Sequence, residues 1–213
     1  GVLIAIHRRI RGVWLARLLI LVLCASPLTA AEATIAASGN VSSIVPLGPG
    51  DTTFPSVVNT RVVAVGIDNG IGSLTVNGGN VLTVQGAGSG INIGGDFTLI
   101  PGFGTVTIDG PGSKIETLGP GGFMNVGRFG TTSTAALNIT NGGVLNTTFL
   151  NWPRGDFAGG NAPTASVIVD GPGSAIHLSG NDTAGNAAGG SNHDGGTGTV
   201  TLRNGAAVTM SAP

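Results

Sequence analysis

Cysteine is nearly missing from this chain, tyrosine is missing altogether, and charged residues make up only 9% of it. The one cysteine, Cys24, falls in a leader-like segment, so no disulfide framework can hold the remainder. Scarce charge combined with 41% hydrophobic residues excludes a disordered chain, which is poor in apolar residues and rich in like charge. Beyond residue 31 only five basic residues stand against ten acidic ones, a net charge of −5. No basic stripe is available to track a phosphate backbone, which excludes nucleic acid as a partner.

Glycine is abundant instead, with 39 residues among 213. Each glycine in a helix interior costs about 1 kcal/mol relative to alanine, so a helical bundle is excluded. Glycine together with Thr, Val, Ile and Asn points to short strands and tight turns, an all-β chain.

The first 31 residues differ from the rest. Arg8, Arg9, Arg11 and Arg17 precede an apolar run from Leu18 to Ala25, and Thr29 and Ala31 offer a small-residue cleavage point. That order is expected of a secretory signal peptide with a helical core. The rival is a membrane anchor, but the run is about 8 residues where a spanning helix needs about 20. A lipid anchor at Cys24 would need a small residue where Leu23 stands. The expected organisation is a signal peptide over 1–31, a lead-in or cap over 32–61, and repeats over 62–213.

The repeats are explicit. Segments 73–79 (SLTVNGG), 105–113 (TVTIDGPGS), 136–143 (ALNITNGG), 166–174 (SVIVDGPGS) and 199–206 (TVTLRNGA) share an alternating apolar pattern running into a glycine turn. Their first apolar positions, Leu74, Val106, Leu137, Val167 and Val200, are 30 to 33 residues apart. The turn types alternate, so the full period is about 62 residues in two similar halves. A second element precedes most of these strands, at 63–66 (VAVG), 91–94 (INIG) and 123–127 (FMNVG). Leu150, Asn151, Trp152 and Pro153 stand in its place in the fourth unit, and Ala187, Ala188 and Gly189 in the fifth.

Alternation puts Leu74 with Val76, and Val106 with Ile108, on one face, while Thr75, Thr107, Asn138 and Thr201 face outward and Ile168 breaks the rule. One such strand cannot bury its apolar face, but stacked copies form a continuous core. Asn-Gly between apolar runs is also a hairpin signal, so an antiparallel sandwich is the rival. The fixed period with alternating turns favours a parallel β-helix.

The ordered succession of 105–113, 124–127 (MNVG) and 137–143 (LNITNGG) resembles the autotransporter/PEP-CTERM-associated repeat over residues 62–210. The resemblance implies a right-handed parallel β-helix, export from a Gram-negative cell, and display on the surface or in the extracellular matrix. It transfers no catalytic residue. Its expected partners are a host surface or an extracellular polysaccharide, and membrane attachment would come only through a C-terminal anchor that this sequence does not include.

Residues with chemical potential are few, and no cofactor or metal is expected. His177, Ser174 and Asp170 could be read as a nucleophile triad, which needs a strained elbow and an oriented base. Ser174 instead ends a turn that recurs at Ser113, with Glu116 at the histidine position, so a structural turn is expected. His193 and Asp194 with Asp182 could hold a metal, yet no calcium-type repeat accompanies them. A polysaccharide lyase or hydrolase would gather carboxylates, or a basic residue beside calcium, on one face. Here Lys114, Arg61, Arg128, Arg154 and Arg203 are spread over separate units, and Asp109 and Asp170 occupy equivalent turns. An ice-binding array needs Thr-x-Thr on every coil, and only Thr105/Thr107 and Thr199/Thr201 supply it. The least repetitive stretch, 146–164, holds Trp152, Arg154 and Phe157, the candidate contact for a partner or glycan. The competing role for Trp152 is to cover one side of the core. The expectation is therefore a non-catalytic structural or adhesive solenoid, with a polysaccharide-acting enzyme as the alternative.

Overall fold

The computed structural model describes residues 35–42, 56–58, 62–95, 100–118, 121–128, 132–153, 163–179 and 196–210. The chain divides into a leading unit, Gly1–Glu32, and a second unit, Ala33–Pro213, which contains all the described residues. The expected signal peptide thus lies outside them.

The described residues form an all-β solenoid of stacked coils with three sheets. Sheet 1 runs β1 (Ile35–Gly39), β5 (Ile71–Asn77), β8 (Phe103–Asp109), β11 (Thr134–Thr140), β14 (Thr164–Asp170) and β16 (Thr197–Arg203). Sheet 2 holds β3 (Val57–Val58), β6 (Val81–Gln85), β9 (Lys114–Leu118), β12 (Val144–Thr147), β15 (Ala175–Leu178) and β17 (Ala207–Met210). Sheet 3 holds β2 (Val41–Ser42), β4 (Val62–Val65), β7 (Gly90–Ile93), β10 (Phe123–Val126) and β13 (Phe149–Asn151). Among the described strands, the first three coils visit sheet 1, then sheet 2, then sheet 3, and the last two visit sheets 1 and 2. Strands β5, β6 and β7 open the first complete coil, β8 the second, β11 the third, β14 the fourth and β16 the fifth. One sequence half-unit is therefore one whole coil.

Register follows from the two-residue period of the side chains. Leu74, Val106, Leu137, Val167 and Val200 are direct neighbours across sheet 1, and so are Val76, Ile108, Ile139, Val169 and Leu202. The first four of each column are fully buried. Burying a side chain of this size is worth about 1.5–3 kcal/mol, and a one-residue slip would turn the whole set to solvent. Strong pairing between coils results. The antiparallel sandwich is excluded, because every pairing from β3 onward is parallel among the described strands.

Sheet 2 is narrower, with two inward positions per strand. Leu82, Ile115, Leu145, Ile176 and Val208 form the first column. The second column is interrupted by Thr117 and Thr147, which are buried. Thr117 donates to Thr147 at 2.8 Å, so neither hydroxyl is carried into the core unpaired. In sheet 3, Ile91 lies beside Met124 and Met124 beside Leu150, which places Leu150 and Asn151 in the fourth unit as the repeat predicts. Asn125 donates to Asn92 at 2.7 Å and accepts from Asn151 at 2.8 Å, forming a ladder along the stack. Phe123 and Phe149 stack beside it with ring centroids 6.2 Å apart.

Sheet 3 hands over to sheet 1 at a tight corner. Gly72, Gly104, Ala135, Ala165 and Gly198 form a column of small residues there. A Cβ on Gly104 would sit 2.2 Å from the Val65 carbonyl oxygen and 2.5 Å from the Gly94 nitrogen. The small side chain is a requirement of backbone approaching backbone.

The two ends of the stack differ. At the N-terminal end β1 pairs antiparallel with β5 and β2 antiparallel with β4, and Ile35, Ala37 and Val41 are buried over the core. At the other end β16 and β17 leave Leu202, Val208 and Met210 45%, 41% and 55% exposed, although each continues a column of inward-facing residues.

Candidate functional site

Polar chemistry concentrates at the corner between sheets 1 and 2, where the glycine turns lie. Two turn types alternate there. The short type has two consecutive residues at positive φ, Asn141 and Gly142 in the third coil and Asn204 and Gly205 in the fifth. The amide of Gly143 closes on the Thr140 carbonyl at 2.9 Å, and that of Ala206 on the Arg203 carbonyl at 3.2 Å. Asparagine tolerates this left-handed region better than other side-chain-bearing residues. The long type is a Gly-Pro-Gly-Ser turn. Proline sets φ at the second position, glycine supplies positive φ at the third (Gly112, Gly173), and the serine amide closes on the first carbonyl at 3.2 Å.

Long turns bind both of their neighbours. Backward, Ser113 Oγ accepts the Gly79 amide at 3.0 Å, and Ser174 Oγ accepts the Gly142 amide at 2.9 Å. Forward, Asp109 Oδ1 accepts from Thr140 Oγ1 at 2.6 Å and from Asn141 Nδ2 at 2.7 Å. Asp170 Oδ1 likewise accepts from Asn204 Nδ2 at 2.7 Å, and Asp170 Oδ2 pairs with Arg203 at 2.9 Å. The Asn204 and Arg203 hydrogen bonds hold the Asp170 carboxyl below its ordinary range, partly offset by burial. The alternation seen in the sequence is thus a bonding scheme linking each coil to the next.

This geometry decides the roles of the sequence candidates. Ser174 is buried and donates to the Asp170 carbonyl at 2.6 Å while accepting from Gly142, so its hydroxyl is committed to the turn. His177 lies on β15 and is exposed; its Nδ1 meets the Thr209 hydroxyl of the next coil. Ser174 and His177 therefore serve different coils, and no nucleophile–base pair forms. His177 belongs to an outward column with Asn146 and Glu116, as the sequence equivalence predicts. Asn146 donates to Glu116 at 3.1 Å, and Lys114 pairs with the same carboxylate oxygen at 3.3 Å on the side of the second coil.

Trp152 is half-buried and packs against the core, with Pro153 buried beside it. Glycines 196 and 198 make room for the pair: a Cβ on Gly198 would lie 2.5 Å from Pro153 Cδ and 2.9 Å from Trp152 Cδ1. Arg154 and Phe157, the other two residues of the candidate contact, lie outside the described residues. So do His193, Asp194 and Asp182. Among the described residues, no group of three or more His, Cys, Asp or Glu side chains could hold a metal.

Sequence reasoning missed the Asn92–Asn125–Asn151 ladder and its attachment to Arg128, whose Nη1 donates to Asn92 at 3.1 Å. The signal was present in the recurrence of asparagine at the third position of 90–93, 123–126 and 149–151. No protein-family model matches the chain, and no curated protein or solved structure is similar enough to it to count as a match.

Proposed function

We propose that the chain is an exported, non-catalytic solenoid that serves as a structural or adhesive element, in the manner of the repeats it resembles in Gram-negative passenger and PEP-CTERM proteins. One observation carries the reading: the polar side chains at the main corner bond from coil to coil. Asp109 is taken up by Thr140 and Asn141, Asp170 by Arg203 and Asn204, and Ser113 and Ser174 by glycine amides. A carboxylate that serves as general base or acid needs a proton to exchange with substrate and a tuned pKa to do so. Hydrogen bonds from Asn204 and Arg203 lower the pKa of Asp170 and so weaken it as a base. These contacts stiffen the stack of coils. Export rests on the leader sequence 1–31.

The expected partners are a host surface or an extracellular polysaccharide, with the segment around Trp152 as the first contact to examine. The test is incubation of the purified region 32–213 with a panel of acidic and neutral polysaccharides. Reducing ends or unsaturated products are measured alongside retention on the immobilised polymers. Retention without product is the expected result. Product formation that tracks the purified protein would replace this reading with a carbohydrate-active enzyme.

A further inference from the structure

The hydroxyl pattern on the outer face of sheet 1 is interrupted at one place. Two outward columns run along that face: Ser73, Thr105, Ala136, Ser166 and Thr199, and beside them Thr75, Thr107, Asn138, Ile168 and Thr201. The three members without a hydroxyl, Ala136, Asn138 and Ile168, adjoin one another along β11 and across to β14. Asn138 stands at the centre of this patch and opens an Asn-Ile-Thr triplet with Ile139 and Thr140. We infer that Asn138 is a modification site, the acceptor of an N-linked hexose that the folded solenoid carries on sheet 1.

The sequence holds four Asn-x-Ser/Thr triplets, beginning at Asn40, Asn138, Asn146 and Asn181. This triplet is the acceptor pattern for N-glycosylation of exported chains, so in its setting the inference rests on the proposed export. Asn181 lies outside the described residues, and the structure separates the other three. Asn40 Nδ2 donates to the Ile67 carbonyl at 2.9 Å, and a Cβ on Gly70 would lie only 2.3 Å from that nitrogen. A sugar on it would collide with the turn. Asn146 Nδ2 donates to Glu116 Oε1 at 3.1 Å, and Asn146 Oδ1 is buried. A sugar there would displace Glu116, together with its pairing to Lys114. Asn138 is half-buried, and its side chain makes no hydrogen bond among the described residues.

The surroundings of Asn138 suit a pyranose. Leu137 and Ile139 on either side are fully buried, so alternation points Asn138 away from the core. Ala136, two residues back on the same face, is short, and Ile168 stands beside Asn138 on the next coil. A hexose on Nδ2 would lay its apolar C–H face on Ile168 and turn its hydroxyls toward water and Thr107. The outward isoleucine that breaks the alternation thereby gains a cover.

The donor class is a hexose activated as a nucleoside diphosphate. The Asn138 amide nitrogen bonds to the sugar C1, the bond from C1 to the diphosphate oxygen breaks, and the nucleoside diphosphate leaves with the electron pair. The amide proton passes to a base of the transferase. In the stack, the Thr140 hydroxyl that completes the triplet donates to Asp109 at 2.6 Å, and β11 is paired on both sides. Transfer therefore precedes docking of the third coil, and the fold then retains only those sugars it has room for.

The experiment co-expresses the full chain with a soluble transferase that moves hexose from UDP-glucose to Asn-x-Ser/Thr, and isolates the folded monomer by size exclusion. Tandem mass spectrometry reads occupancy at each triplet, and synthetic peptides bearing each triplet give the occupancy set by local sequence alone. Neither export nor polysaccharide enters this assay. An unprocessed leader, or product released from a polysaccharide, would remove the proposed function and leave the occupancy of Asn138 as it is. Relative to its peptide, Asn138 in the monomer should be occupied about tenfold more than Asn40 or Asn146, the cost of losing one buried hydrogen bond. Asn138→Gln should abolish that hexose, and the modified monomer should melt with the unmodified one. Comparable occupancy at Asn40 or Asn146 would overturn the inference. So would modified Asn138 found only in aggregated chain, or an Asn138 peptide that the transferase refuses.

Discussion

The hydroxyl of Ser174 stands between two coils, accepting the Gly142 amide of the third at 2.9 Å and donating to the Asp170 carbonyl of its own at 2.6 Å. The same backward bond joins Ser113 to Gly79. Removing the hydroxyl leaves a partly buried amide without a partner, which costs about 1–3 kcal/mol. Ser174→Ala and Ser113→Ala should each lower stability by about that amount, and the two losses should add because the turns are two coils apart. Urea unfolding of the single and double variants checks this. A neutral result for both would mean that the turn, and not the hydroxyl, sets the alternation.

Asp170 supplies the pH dependence of the forward links. Its hydrogen bonds from Asn204 and Arg203 lower its pKa in the folded state, so the bonded carboxylate favours folding at neutral pH. A depressed folded pKa means that this stability is present above the unfolded value, about 3.9, and is lost as pH falls through the folded value. Wild type should therefore melt higher than Asp170→Asn at pH 7, with the difference shrinking as the pH is taken below about 3.9. The site is open to solvent, so 1 M salt should also narrow the gap. Melting curves at pH 7 and pH 3, with and without salt, read both effects.

The small-residue corner makes a sharper prediction. Gly104 has no room for a side chain, since its would-be Cβ meets the Val65 carbonyl oxygen and the Gly94 nitrogen, both backbone atoms that cannot rotate away. Gly104→Val should destabilise the stack by about 3 kcal/mol or more, the cost of backbone displacement in a packed interior. Ala135→Gly, one coil on in the same column, should cost only about 1 kcal/mol from backbone entropy. Circular dichroism melts of the two variants separate a steric requirement from mere tolerance of small residues.

How far the sequence discloses this fold depends on the sheet. Sheet 1 is legible because each strand carries two strong inward residues and ends in a glycine turn, so Leu74, Val106, Leu137, Val167 and Val200 align by eye and pair in the structure. Sheet 2 is hidden because its strands are short and one inward position is Thr117 or Thr147, polar residues accepted in the core because Thr117 donates to Thr147 and Thr147 donates to the Phe149 carbonyl at 3.1 Å. Nothing local reveals the bond between the two threonines, since the partners are 30 residues apart. The same distance conceals Asp109 from Asn141: the pattern discloses that the turns alternate, while the reason lies between coils. At the candidate contact, Trp152 covers core, an outcome weighed from the sequence as the rival to an exposed role.

The asparagine ladder of sheet 3 offers a test of whether polar stacking stabilises or merely fills space. Asn125 is fully buried, donates to Asn92 and accepts from Asn151. Replacing it with leucine keeps most of the volume but strands the donor of half-buried Asn151 and takes one of two donors from Asn92 Oδ1, which still accepts from Arg128; a polar group left unpaired in the interior costs about 1–3 kcal/mol. Asn125→Leu should thus be destabilising by about 1–3 kcal/mol in spite of its greater hydrophobicity. Converting Asn92, Asn125 and Asn151 together to leucine removes donors and acceptors in matched pairs along the ladder and should recover part of the loss. The recovery will be incomplete, because Arg128 Nη1 donates to Asn92 and would itself lose that partner. Denaturant unfolding of the single and triple variants decides the matter: a triple variant less stable than the sum of its parts would mean that the ladder positions cannot accept branched side chains.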